Sequence, residues 1–289
     1  MADSENRLRG RVFTVLGAAG FVGQRVVARL QAAGADVFAP VRGDPAVWSR
    51  PLGHVVYAAG LTADYLARPF DTVEAHVGLL ARVLKEAQWE SLVYLSSTRL
   101  YDSLGAVDAH EALPLLLDPG QPRHLYDLSK ALGESLCHVQ GQGRARVARL
   151  ACVYEGPQDA DGFLPSLLRQ VMAAGAQARA VGAPAPVIDV NSSPSFERDY
   201  VHVSDVVEGL IHIALQGQDT VYNLASGENI SNATLFSWLG GRWHCQLRAT
   251  LPAGGSQAPR IRIDRMRDEF GWSPKGLRTV LDALEEHIP

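Results

Sequence analysis

The run Arg11-Val-Phe-Thr-Val-Leu16, followed at once by Gly17-Ala-Ala-Gly20-Phe-Val-Gly23 and then by Arg25 to Ala33, decides the fold. The first run is short, β-branched and apolar, and reads as a buried strand. The last has helical periodicity, with Gly34 as its C-terminal stop. Glycines at such a turn permit a tight bend, close approach of the backbone to a pyrophosphate, and close packing of helix on strand. A phosphate would rest on the helix N-terminus, where free N–H groups and the macrodipole favour negative charge. From 27 glycines, roughly 0.24 matches to this spacing are expected by chance, so its weight comes from lying between a strand and a helix. The stretch therefore predicts a dinucleotide-binding turn, with Gly17, Gly20, Phe21, Val22 and Gly23 against the cofactor. The bland alternative is a tight turn that binds nothing.

Outward from this turn, strands and helices alternate. Asp36–Val41, His54–Ala59, Ser91–Ser96, Arg146–Tyr154 and Val221–Ala225 read as strands, and Thr72–Gln88, Tyr126–Val139, Phe163–Ala174 and Asp205–Leu215 as helices. That alternation predicts an α/β fold, a doubly wound parallel sheet covered on both faces. Val41 and His54 are separated by 12 residues that include Gly43, Pro45, Pro51 and Gly53, at the lower limit for a crossover helix plus a strand. The strand expected after the second is therefore missing or vestigial. The pattern loosens after Glu155, which divides the chain into a dinucleotide-binding domain over 1–160, rejoined by a segment at about 198–225, and a smaller C-terminal substrate lobe from 161–197 and 226–289. Two short helical pieces, Arg267–Trp272 and Leu277–His287, close the chain.

The 289 residues are 47% hydrophobic and 20% charged, with a formal charge of −4, enough apolar content for a large core. An acidic balance argues against a nucleic-acid binder, and no apolar stretch reaches the length of a membrane span. Three widely spaced cysteines and a polar, acidic start predict a cytoplasmic protein rather than a secreted one. No histidine spacing suggests a metal site. Cys152 reads as a small buried residue, and His124 as a surface one.

Only three lysines occur, and one completes Tyr126-Asp-Leu-Ser-Lys130, a phenol and an ammonium one helical turn apart. About 0.08 such pairs are expected by chance at this composition. The pair follows a strand ending in Ser96-Ser97. Tyrosine, with a pKa near 10, is a poor base, and lowering it to about 7 takes roughly 4 kcal/mol of phenolate stabilisation. A neighbouring ammonium and an oxidised nicotinamide supply such stabilisation in a cleft, while a serine hydroxyl polarises the substrate oxygen. The arrangement points to hydride transfer at a carbinol or keto carbon, with tyrosine moving the proton.

With these residues in view, the chain resembles an extended short-chain dehydrogenase/reductase of the NAD-dependent epimerase/dehydratase family. The segments that carry the likeness are Gly17-x-x-Gly20-x-x-Gly23, Val55-Val-Tyr-Ala-Ala-Gly60, Leu95-Ser-Ser-Thr-Arg-Leu-Tyr101, Tyr126-x-x-x-Lys130, Arg149-Leu-Ala-Cys-Val-Tyr154, Arg198-Asp-Tyr-Val-His-Val203, Tyr222-Asn-Leu-Ala-Ser-Gly227 and Phe270-Gly-Trp-Ser-Pro274. The resemblance implies Ser97, Tyr126 and Lys130 as the catalytic residues, with Tyr126 and Lys130 also touching the cofactor beside Ala58, Ala59 and Gly60. It implies Ser97, Thr98, Arg99, Cys152 and Arg198 around the substrate, expected to be a nucleotide-sugar, with Arg198 on its diphosphate. The other reading of Arg198 is a structural pair with Asp205.

Two departures narrow the expected reaction. Sugar dehydratases of the family carry Asp-Glu where this chain has Thr98-Arg99, so dehydration is disfavoured. The second strand lacks the terminal acid that binds a ribose 2′-hydroxyl, and Arg42 is available for a 2′-phosphate instead. NADP is thus expected over NAD, and a ketoreductase over a C4 epimerase with tightly held NAD. A non-catalytic dinucleotide-binding regulator or scaffold is the reading from another class. By analogy with the family, a homodimer is expected through Thr72–Gln88 and Tyr126–Val139.

Overall fold

The computed structural model describes residues 7–255 and 258–284. Six parallel strands form the main sheet in the order β10-β6-β4-β3-β1-β2. They are β1 (Val12–Leu16), β2 (Asp36–Phe38), β3 (His54–Tyr57), β4 (Ser91–Ser97), β6 (Ala145–Leu150) and β10 (Val221–Leu224). Parallel strands need helical crossovers, and these cover both faces. On one face, Val26 and Leu30 of α1 (Phe21–Ala32) and Leu210 and Ile213 of α6 (Val203–Gln216) pack on Phe13, Val15 and Val93. On the other, Leu80 and Val83 of α3 (Leu79–Glu86) and Cys137 of α4 (His124–Gln140) pack on Val55, Tyr57, Leu92 and Val147. Each such side chain, fully buried, contributes about 1.5–3 kcal/mol.

The doubly wound sheet matches the expectation, and so does the short link. Among the described residues no strand lies between β2 and β3, and β2 is the sheet's edge. Asp44 accepts from Ala46 N at 2.9 Å and starts a single 3₁₀ turn over Pro45–Trp48, which brings the chain straight back to β3. β2 ends at Phe38 rather than Val41, two residues before Pro40, which cannot donate to a ladder.

Residues Thr72–Gln88 are not one regular helix. Helix α2 (Pro69–Val73) runs into a π turn over Glu74–Gly78 before α3 begins. The wide turn leaves the Ala75 carbonyl to accept from the Tyr57 hydroxyl at 2.6 Å, and it carries His76 into the interior, fully buried. Sequence periodicity does not distinguish such a turn from an α-helix.

A separate apolar cluster underlies the C-terminal elements. Leu164, Leu168 and Val171 of α5 (Phe163–Val181) meet Leu235, Leu239 and Trp243 of α7 (Asn232–Trp243). Helix α5 runs seven residues past the expected end at Ala174 and stops at Gly182, whose φ of 62° is left-handed. Two small sheets flank this lobe. One joins β7 (Cys152–Tyr154), β9 (Glu197–His202) and β11 (Asn229–Ser231), and the other pairs β8 (Val187–Val190) with β12 (Gln246–Ala249). Helix α8 spans Asp264–Phe270, starting three residues before and ending two before the expected Arg267–Trp272, and α9 spans Leu277–Ala283; the remainder of the expected Leu277–His287 helix past Leu284 lies outside the described residues.

Candidate active site

The carboxyl ends of the parallel strands converge on one cleft, the place where ligands bind in open α/β sheets. β1 delivers Gly17, with φ +88°. A side-chain carbon there would come within 2.5 Å of Ala59 N, so the first and third strand ends touch only because residue 17 has none. A side chain on Gly23 would overlap the Gly17 carbonyl. Helix α1 begins at Gly20 with no side-chain cap and no acid in its first turn. Its N-terminal N–H groups and dipole are thus left for an anion, and the turn fits a dinucleotide pyrophosphate. Ala58 and Ala59 are half-buried and Gly60 is exposed across this turn.

β4 delivers Ser97, whose Oγ accepts from Arg99 N at 3.2 Å and so caps the 3₁₀ turn Thr98–Leu104. Helix α4 delivers Tyr126 and Lys130 from its first two turns. Ser97 faces the Tyr126 phenol closely enough to favour its ionised form, and Lys130 Nζ donates to Leu95 O at 2.7 Å. All three side chains are buried at the strand ends, with Tyr126 only 3% exposed. Arg99 covers Tyr126, its guanidinium carbon 4.6 Å from the ring centre. Tyr65, from the loop after β3, lies tilted against the ring at 5.5 Å, and His76 from the π turn meets it edge-on at 5.4 Å.

The electrostatics differ from the expected scheme. Burial pushes the Tyr126 phenol above its ordinary value, against the Ser97 hydroxyl and the Arg99 charge, which pull it down. Burial also pulls Lys130 down to about 7, against the nearby Glu134 carboxylate. The lysine is 5.9 Å from the Tyr126 ring centre and committed to a backbone carbonyl. The groups of this chain that make the phenol more acidic are therefore Ser97 and Arg99.

Glu134, one turn beyond Lys130, is held in a buried network. Arg149 of β6 engages it twice, Nε to Oε1 at 2.9 Å and Nη2 to Oε2 at 2.6 Å. Ser96 Oγ donates to Glu134 Oε1 at 2.6 Å, Arg149 Nη1 donates to the Tyr101 hydroxyl at 2.6 Å, and that hydroxyl donates to Asn223 Oδ1 at 3.0 Å. The network ties β4, α4, β6 and β10 together directly behind the cleft.

Several single-residue expectations are corrected. Cys152 is exposed, because the chain leaves the main sheet at Ala151 and β7 turns the thiol toward the open cleft. Its recessed position raises the thiol's pKa, against the charges of Arg198 and Arg99. His124 is buried, since its Nδ1 accepts from Asp118 N at 2.8 Å and pins the preceding turn. Arg198 does not pair with Asp205; its guanidinium lies 5.2 Å from the Phe163 ring and 4.6 Å from Phe196, while Asp205 accepts from Lys275 N. Arg42 is exposed, four residues beyond the end of β2. The sequence reading missed Tyr65, His76, Asp127, Glu134 and Arg50. Of these only Glu134 carried a signal, four residues after Lys130 on the same helix face.

Compared with known proteins, residues 13–225 match the NAD dependent epimerase/dehydratase family. The chain belongs to that family. It is an NAD(P)-dependent enzyme of the short-chain dehydrogenase/reductase type. A curated relative, dTDP-4-dehydro-6-deoxy-D-allose reductase of Streptomyces bikiniensis, is 25% identical, with 96% of each chain aligned. The structure of epimerase Mth375 from Methanothermobacter thermautotrophicus superposes with a TM-score of 0.74 at 19% identity, covering 97% of this chain and 92% of that one. RMD from Pseudomonas aeruginosa, solved with NADPH, gives a TM-score of 0.69 at 25% identity over 95% and 96%. Among the described residues no helix is long and apolar enough to cross a membrane.

Proposed function

We propose that this enzyme is a ketoreductase that acts on a nucleotide-bound keto sugar and prefers NADPH. The observation that carries the proposal is the juxtaposition of Ser97 and Tyr126, both buried at the strand ends, with arginine rather than a carboxylate at position 99. Elimination of water needs a base on the carbon next to the oxidised one, and position 99 offers a cation. The Streptomyces bikiniensis relative is named for reduction of a 4-keto nucleotide-sugar and aligns over nearly the whole chain.

A bound nicotinamide dinucleotide supplies the hydride. Gly17, Gly20, Phe21, Val22 and Gly23 hold its pyrophosphate, with Ala58, Ala59 and Gly60 lining the opposite wall. Ser97 fixes the substrate carbonyl oxygen and Tyr126 gives it a proton. Lys130 holds the nicotinamide ribose. Thr98, Arg99 and Cys152 line the sugar pocket, and Arg198, flattened between two phenyl rings, presents a planar fork to the diphosphate. Two guanidinium groups stand near the end of β2: Arg42, without an ion pair among the described residues, and Arg50, 4.4 Å from the Phe38 ring. They suit a 2′-phosphate. Within this reading 1–160 and 198–225 carry the cofactor, and 161–197 and 226–289 the substrate.

The test is consumption of NADPH, followed by absorbance, against a panel of nucleotide-bound 4-keto sugars. Turnover is expected with the wild type, and Tyr126→Phe should lose about a thousandfold in rate while binding NADPH unchanged. Interconversion of C4 epimers with retained NAD and no net consumption of NADPH would replace this reading by an epimerase. The same proposal places the enzyme in the cytoplasm, in keeping with three unpaired cysteines. It also makes the enzyme a homodimer through Thr72–Gln88, together with the α2 turn that leads into it, and α4, where Phe70 is 89%, Val73 41% and Val139 71% exposed. Phe70→Asp should convert the dimer to monomer in light scattering.

A further inference from the structure

Reduction needs a phenol that parts with its proton as the substrate oxygen gains one. The ammonium one turn along the helix is the more distant cation from the ring: Lys130 Nζ is 5.9 Å from the Tyr126 ring centre and bonded to Leu95 O. The Arg99 guanidinium carbon is closer, at 4.6 Å from the same ring. It is anchored from two sides. Nη2 donates to the Tyr65 hydroxyl at 3.4 Å, and Nε faces Asp127 Oδ1 at 3.9 Å.

Asp127 is buried, and neither of its oxygens has a hydrogen-bond partner among the described residues. Its charge is met by Arg99 on one side and by Arg123 on the other, 3.6 Å from Oδ2. The remaining groups that face the phenol are Ser97 from β4, Tyr65 from the loop after β3, His76 from the π turn and Lys130 on the phenol's own helix. His76 is held neutral, burial and the Lys130 charge pulling it down to about 3. Arg99 is thus the cation in contact with the ring, and Asp127 is the carboxylate that keeps it there.

We propose that Arg99 is a catalytic residue whose guanidinium, stacked on the Tyr126 ring, stabilises the phenolate left when Tyr126 gives its proton to the substrate carbonyl oxygen. The Tyr126 O–H bond breaks and an O–H bond forms on the substrate, while the substrate carbon accepts a hydride. The reduced dinucleotide is the two-electron donor and is oxidised, and solvent later returns a proton to Tyr126. A unit charge about 5 Å away shifts a pKa by roughly 0.6 units in a water-like dielectric and roughly 2.4 units in a protein-like one. With the Arg99 side chain 36% exposed, a shift of about one unit is expected.

The inference rests on Tyr126 being the acid, so its test is separable from the identity of the substrate. Tyrosine ring carbons are labelled with ¹³C and Tyr126 is titrated by NMR in the wild type, Arg99→Leu and Arg99→Lys, with and without NADP⁺. Tyr126→Phe assigns the resonance, and Arg99→Gln replaces the leucine variant if that one fails to fold. Removing the charge should raise the Tyr126 titration by about one unit, and lysine should restore at least half of that. In ketone reduction, which needs the protonated phenol, the alkaline limb of kcat moves to higher pH in Arg99→Leu. An unchanged titration overturns the proposal, and so does a lysine variant that behaves like leucine. A wild type that reduces no keto sugar would strike the ketoreductase reading instead, with the titration still deciding the part played by Arg99.

Discussion

Replacing Arg149 by methionine should be among the most damaging single changes outside the cleft. Arg149 and Glu134 are each 4% exposed and joined by two charge-assisted hydrogen bonds, at 2.9 and 2.6 Å. Methionine keeps much of the volume but leaves the Glu134 carboxylate buried with only the Ser96 hydroxyl as donor, and it strips the Tyr101 hydroxyl of its charged partner. Breaking one side of such a buried pair costs about 3–5 kcal/mol. At roughly 2 °C per kcal/mol for a chain of this size, the thermal midpoint should fall by about 6–10 °C. The double variant Glu134→Leu, Arg149→Met removes both charges together. It should recover most of the loss, because apolar groups of similar volume often replace a buried pair at little cost. The assay is a double-mutant cycle by thermal and urea unfolding. The reasoning fails if Arg149→Met costs less than about 1 kcal/mol, or if the double variant loses the sum of the two single ones.

Lys130→Met should stabilise the enzyme at pH 6.5, with the gain fading by pH 10. Burial holds Lys130 at about 7, below its unfolded value, so the unfolded chain binds more protons between those values and stability rises with pH across that window; thermal midpoints of both proteins across the range check it. Gly23→Val should abolish dinucleotide binding in calorimetry, since the new side chain would occupy the Gly17 carbonyl; binding within threefold of wild type would count against the glycine turn as the cofactor cradle. Cys152 should be alkylated by iodoacetamide slowly, its thiol being raised by its recessed position, while the buried Cys137 stays untouched. Added nucleotide-sugar should protect Cys152, as mass spectrometry of the modified peptides would show.

The sheet and its cofactor turn were legible because periodicity and glycine placement encode them locally. Even the absent strand could be read, since 12 residues with two prolines cannot make a crossover helix and a strand. That Ser97, Tyr126 and Lys130 lie together was legible because Tyr126 and Lys130 are fixed by helical spacing and Ser97 by a strand end. What escaped was set by distant contacts. Arg99 and Tyr65 come to Tyr126 from separate loops, and nothing in either segment announces the meeting. Cys152 looked buried because its neighbours are apolar, yet the bend at Ala151 opens it to the cleft. The backbone partner of Lys130 escaped for a similar reason. Sequence shows that an ammonium lies one turn from the phenol, but not that Leu95 O claims it.

The wide turn at Glu74–Gly78 has a further consequence. It amounts to a one-residue phase shift along an otherwise continuous rod, and each residue of phase is worth about 100° of rotation. Within it, His76 meets the Tyr126 ring edge-on; downstream, Leu80 and Val83 seat on the strands. Deleting a single residue there would leave the downstream anchors in place and swing everything before them by more than a quarter of a revolution, carrying the imidazole out of the floor. The helix can therefore satisfy two surfaces whose angular demands conflict, and a deletion in this segment would disturb the site where most substitutions would not.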